Sequence, residues 1–314
     1  MAHGSSISTR ALGLGLLGLA GAVFALITLG ALVRANGAGL ACPDWPLCHG
    51  QLVPNFDLRI ALEWGHRALA GLVSLGLAVI SLGALRDARL RSRLRGRLLL
   101  AWTLLVAQAL LGALTVWLLL APWTVTAHLL LGNAFCALLV WMGLDLIESS
   151  AGAPLRSSTA SAGHAALAAA AVLLVVQMLL GGMVASHAAG LACAFFPTCD
   201  GVSIAPTFQG LIGLHVLHRL VGFGLLAALA ALAWFARGNP RLSRLARTAL
   251  RLTLVQIALG IANVLGRLPV EITALHSATA AAIALTCALM VREALYAATA
   301  RVPLARGFAA LEPR

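Results

Sequence analysis

The chain has no lysine, a single tyrosine and few charges of any kind: charged residues make up 10% of its 314 positions. That poverty excludes a soluble globular domain. With 61% hydrophobic residues, such a domain would precipitate, and a polytopic membrane protein is the reading that composition allows. Acidic residues are scarce too, 10 against 22 arginines, and the formal net charge is +12. This excess does not point to a nucleic-acid partner. The arginines gather in two segments read as loops, six in 86–97 and five in 237–251, and near the termini at Arg10, Arg292, Arg301, Arg306 and Arg314. Cysteine is also sparse. Of six, four form two close pairs.

Apolar stretches long enough to span a bilayer run at about 12–33, 60–85, 98–120, 124–147, 164–186, 209–236, 249–266 and 271–292. Eight spans put all the arginine clusters on one side. The positive-inside rule makes that side cytoplasmic, with both termini, and contact with anionic membrane lipid is compatible with it. The opposite, oxidising side carries the two cysteine loops, so Cys42–Cys48 and Cys193–Cys199 read as intraloop disulfides. Cys136 and Cys287 lie within spans and read as small buried apolar groups.

The sequence repeats itself. GLACPDWPLCHG (Cys42, Cys48) matches GLACAFFPTCDG (Cys193, Cys199) at a shift of 151. Glu63, His66 and Arg67 match His215, His218 and Arg219 at a shift of 152. Gln108, Gly112 and His128 match Gln256, Gly260 and His276 at a shift of 148. The fold expected is therefore all-α, with eight transmembrane helices as two pseudo-symmetric four-helix bundles. Residues 1–150 form one half and 151–314 the other.

His66, His128, His218 and His276 all fall near the extracytoplasmic end of alternate spans. An ionisable ring at that depth is costly unless it has a partner. One histidine from each of two helices in a four-helix bundle is the geometry of bis-histidine heme. Zinc, which needs third and fourth ligands, could recruit Glu63 or His215, and interhelical hydrogen bonding is the plain alternative. Arg67 and Arg219 suit heme propionates or snorkelling to the interface. Glu63 shares a helix face with His66, so it would face the edge of the same macrocycle and could handle a proton there. Gln108 and Gln256 read as helix–helix hydrogen-bonding groups. Gly112, Gly260, Gly181 and Gly182 read as points of close helix approach, and Trp45, Trp64 and Trp123 as an interfacial belt. His49 and His187 read as loop surface, and His3 and His164 have no repeat partner.

Taken together, GLACPDWPLC, GLACAFFPTC, EWGHR, LHRLVG, TAHLLLG and TALHSATA resemble the heme A synthase family, bacterial members with two cysteine pairs, over about residues 12–292. The resemblance implies oxidation of one ring methyl of heme O to a formyl group by two successive hydroxylations, giving heme A for a terminal cytochrome oxidase. It implies that His66 and His128 flank the substrate heme beside Glu63, and that His218 and His276 ligate heme b. It also implies a bacterial inner-membrane location, and partnership with the heme O-forming enzyme and with cytochrome oxidase assembly. A homo-oligomer is compatible with the sequence. On residues alone three rivals stay open. A di-heme b-type electron carrier usually has hemes near both membrane faces. A quinone-linked disulfide oxidoreductase leaves four matched histidines idle, and a heme-handling protein leaves the macrocycle unchanged.

Overall fold

In lipid every backbone N–H must find its acceptor inside its own segment, so each apolar stretch becomes a helix. The structure, a computed structural model, describes residues 8–150 and 161–299. His3, Arg301, Arg306 and Arg314 lie outside the described residues. Among the described residues there are eight long helices, α1 (Thr9–Ala35), α2 (Leu58–Arg86), α3 (Ala88–Trp117), α4 (Pro122–Ser150), α5 (Ser161–Ser186), α6 (Gly210–Phe235), α7 (Pro240–Leu265) and α8 (Val270–Thr299). All eight are long and apolar enough to cross a membrane.

The segments 86–97 and 237–251 are not loops: most of each is helix, and α3 and α7 begin at Ala88 and Pro240. Arginine is a good helix former, so scarcity of apolar residues there does not end the helix. The breaks are set by caps instead. Asp87 accepts the N–H groups of Arg89 and Leu90 at 2.8 and 3.1 Å, and Asn239 accepts that of Leu242 at 3.0 Å, with Pro240 next in the chain.

Helices α1 to α4 pack in a ring around one apolar core that includes Leu16, Leu77, Leu94, Leu139 and Met142. Helices α5 to α8 do the same around Leu174, Leu229, Leu242, Cys287 and Met290. The rings meet where α1 and α4 lie against α8, and α4 against α5. Helix α1 approaches α4 very closely: a Cβ added to Gly13 would stand 2.9 Å from the Gly143 carbonyl oxygen, and one on Gly143 2.9 Å from that of Gly13. The outward faces carry exposed Leu72, Leu75, Val79 and Leu82 on α2, and Val172, Val175 and Leu179 on α5. Such faces are stable against lipid tails, not water.

The arginine-rich end is closed by a buried ionic cluster. Asp145 of α4 accepts from Arg97 of α3 at 2.5 Å, from Arg292 of α8 at 2.5 and 3.1 Å, and from the Tyr296 hydroxyl at 2.6 Å. Glu148 accepts from Arg292 at 2.9 Å. Arg292, read above as a topology marker at the end of the last span, is 4% exposed and joins the two halves. Its charge is balanced by two carboxylates, which a bare membrane arginine would lack.

The other end holds the cysteine loops and two tight turns. Leu119 and Leu120, and likewise Arg267 and Leu268, adopt positive φ between 49° and 62°. Left-handed backbone at such residues costs on the order of 1–3 kcal/mol. Leu120 and Leu268 turn back onto Gly39 and Gly190, whose added Cβ atoms would lie 3.3 and 3.2 Å from the leucine side chains. The close fit of each leucine against its glycine clamps the turn onto its cysteine loop.

Candidate functional site

The four histidines take up equivalent stations. His66 is eight residues past Leu58 at the start of α2, and His218 eight past Gly210 at the start of α6. His128 is six past Pro122 in α4, and His276 six past Val270 in α8. At about 1.5 Å per residue, all lie roughly 9–12 Å below the cysteine-loop end. Each ring rests on a glycine of the preceding helix. Added Cβ atoms on Gly30, Gly112, Gly181 and Gly260 would come within 3.1, 3.3, 3.1 and 3.2 Å of His66, His128, His218 and His276. Gly30 was not singled out from the sequence, although the shift of 151 carries it onto Gly181.

In the first half the rings of His66 and His128 face each other, with centroids 6.4 Å apart and planes inclined at 49°. Two imidazole nitrogens each about 2 Å from a shared metal put the ring centroids about 6 Å apart, so the spacing fits one iron between them. His128 Nδ1 is 3.1 Å from the Gln108 carbonyl oxygen. This leaves Nε2 as the ligating nitrogen, the arrangement that orients metal-bound histidines. In the second half His218 Nδ1 and His276 Nδ1 are buried without a hydrogen-bond partner. His276 Nδ1 approaches the Gln256 carbonyl, as His128 does that of Gln108, but without hydrogen-bond geometry. The side-chain oxygens of Gln108 and Gln256 are buried and unpartnered as well. They do not make the helix–helix bonds expected of them. Buried polar atoms left over beside a histidine pair are what a pocket shaped for a polar-edged group presents. The same residues do not suit zinc: among the described residues no three His, Cys, Asp or Glu side chains group together to hold an ion.

Glu63 is buried, 5% exposed. Its Oε2 accepts the Cys42 N–H at 2.9 Å and its Oε1 accepts from Arg67 at 2.5 Å. At the matched place His215 Nδ1 accepts the Cys193 N–H at 3.2 Å. The two unlike residues thus share one task, holding the first cysteine of the disulfide loop, and differ in charge. Arg67 and Arg219 serve the same loops. Arg67 donates to the carbonyls of Asp44, Leu47 and Cys42 at 2.6, 2.6 and 2.9 Å. Arg219 donates to those of Thr198, Cys193 and Phe195 at 3.1, 3.0 and 2.9 Å.

Both disulfides, Cys42–Cys48 and Cys193–Cys199, are formed, and Cys136 and Cys287 are free and buried. Asp44 braces the first loop by accepting the N–H groups of Gly50 and His49 at 2.8 and 2.7 Å. The Gly50 bond first, then the His49 bond and the Arg67 charge, hold its carboxyl below the usual carboxylate range. In the second loop the N–H groups of Ser203 and Val202 do the same for Asp200. His49 and His187 are exposed, as expected of loop surface. The buried Asp145 cluster was not anticipated, although an acid inside the apolar run 124–147 was a signal for it.

Fold and site together define a multi-pass helical membrane protein with a histidine pair on alternate helices of each half, near the disulfide-bearing end. Comparison with known proteins narrows this. The cytochrome oxidase assembly protein family matches residues 15–61 and 55–288. The heme A synthase of Shewanella oneidensis is 30% identical over 304 residues, covering 83% of this chain and 90% of that protein. The heme A synthase of Paracoccus denitrificans is 31% identical over 323 residues, covering 83% and 82%. A Thermus thermophilus protein named protoheme IX farnesyltransferase is 31% identical over 297 residues, covering 88% of this chain but 47% of that protein. The chain belongs to the heme A synthase family of cytochrome oxidase assembly proteins.

Proposed function

We propose that the chain is a heme A synthase, an oxidoreductase that converts a ring methyl of heme O to a formyl group. The observation that carries the reading is the His66–His128 pair, facing at 6.4 Å with His128 oriented by the Gln108 carbonyl. In this reading residues 1–150 hold the substrate heme, and residues 151–314 hold heme b between His218 and His276. Heme b supplies one-electron transfer when bound. The chain's own residues do the rest. Gly30 and Gly112 leave room for the rings to meet a flat ligand, and the apolar walls keep water from it. Glu63 is the only carboxylate on the His66 face of α2. It is the proton-accepting group for methyl oxidation, and the Arg67 contact holds it in place.

Both histidine pairs lie near one end of the helices, which disfavours a carrier that moves electrons across the membrane. The cysteine-loop end is extracytoplasmic in this reading and the arginine-rich end faces the cytoplasm of a bacterial inner membrane. The named activity of the Thermus relative, in which the match spans under half the length, supports partnership with an enzyme that farnesylates protoheme.

The test is pairwise substitution. His66→Ala and His128→Ala are expected to abolish heme A formation while heme B stays bound. His218→Ala and His276→Ala are expected to release heme B. Retention of both hemes in all four variants contradicts the assignment.

A further inference from the structure

Arg34 sits in the last turn of α1, within the membrane-spanning helix, yet among the described residues no carboxylate forms an ion pair with it. Its guanidinium has five donors. One of them reaches across the seam between the halves to the Ser277 hydroxyl of α8 at 3.4 Å, a long bond to a neutral group. The helix dipole at this end of α1 favours a cation, and among the described residues the Ser277 bond is the one hydrogen bond the guanidinium makes. Among the described residues three other arginines on the inward-facing surfaces are provided for: Arg67 by Glu63 and three carbonyls, Arg219 by three carbonyls, and Arg292 by two carboxylates.

The surroundings of Arg34 point to what it lacks. Ser277, the group Arg34 reaches, is the chain neighbour of His276 in α8. Arg34 is also at the loop-bearing end of its helix, farther out than His276. The missing partner is therefore an anion at the outer edge of the second histidine pair, and the forked guanidinium selects a carboxylate.

We propose that Arg34, a residue of the first half, binds a propionate carboxylate of the heme held by His218 and His276 in the second half. This rests on the heme b reading above. The interaction ties the two halves through the cofactor. It also places a fixed positive charge beside that heme, which stabilises its reduced form. Arg34 has no counterpart in the repeat, where the matched position is Ala185. The first pair gains no such charge from α5, so the two hemes are set at different potentials.

The experiment uses the full chain, purified in detergent, as wild type, Arg34→Gln, Arg34→Lys and His276→Ala. Heme B per protein and the midpoint potential of the bound heme b are read. Arg34→Gln is expected to lower the potential and to lose several-fold more heme B on washing, with Arg34→Lys recovering most of the potential. Arg34→Leu replaces the glutamine variant if that one does not accumulate, with the same expected outcome. An unchanged potential and heme B content overturn the proposal, as does a change confined to heme O or heme A. His276→Ala tells the two failures apart. If it keeps heme B, the second-pair reading falls and the proposal with it. If it loses heme B while Arg34→Gln behaves as wild type, only the Arg34 assignment falls.

Discussion

Replacing Glu63 with histidine copies into the first half what the second half already has. The carboxylate does two things at once: it accepts the Cys42 N–H at 2.9 Å and pairs with Arg67 at 2.5 Å. Hydrogen bonds to a charged group are worth about 1.5–3 kcal/mol each, so losing both in Glu63→Ala costs about 3–6 kcal/mol of loop anchoring. Arg67 keeps its three loop carbonyls, so the loop loosens and does not detach. Glu63→His restores an acceptor for Cys42, as His215 serves Cys193, and recovers about 1 kcal/mol of this. It does not restore an anion. If the carboxylate takes a proton during methyl oxidation, heme A formation falls about 10²–10⁴-fold in Glu63→His. Both hemes and the Cys42–Cys48 disulfide should remain. Chromatography of extracted hemes gives the conversion, and thiol trapping after denaturation gives the disulfide. Wild-type conversion in Glu63→His would refute the reasoning and reduce Glu63 to a loop anchor.

Gly30→Ala places a methyl 3.1 Å from His66 Nε2, and the ring must shift by a few tenths of an ångström. Heme absorption spectra should show loss of the substrate heme with heme B retained, and Gly181→Ala should show the reverse. Asp145→Asn leaves Arg292, 4% exposed, with half its counter-charge, and should destabilise the protein by about 3–5 kcal/mol, read as a lower Tm in detergent. Asp44 has a folded pKa below its ordinary 3.8, so its contribution to the first loop is fully present above that value and is lost as pH falls through the lower folded one. Amide protection at His49 and Gly50, relative to the intrinsic exchange rate at each pH, should therefore hold down to about pH 4 and fall in stronger acid. Loss of protection already at pH 5 would contradict the bracing role.

Spans and pairing were legible because lipid leaves the chain little choice: apolar length and the repeat together fix eight helices and four stations for histidine. Helix starts were less so. Arginine does not stop a helix, and only the caps at Asp87 and Asn239 mark where α3 and α7 begin. The repeat located Glu63 and His215 as the odd pair but not their shared contact with the cysteine N–H. That contact depends on how the loop folds back over the helix. Arg67 and Arg219 illustrate the same limit. Their sequence position suits propionates or the interface equally, and the structure gives their donors to loop carbonyls. Arg34 was invisible because its significance lies in what does not surround it, which only packing reveals.

The most direct test of the central claim is mass spectrometry of the hemes extracted from the full chain, purified from cells that supply heme O. The account predicts heme A or its hydroxylated precursor together with heme B. Heme B alone, with heme O unaltered in the membranes, would contradict it.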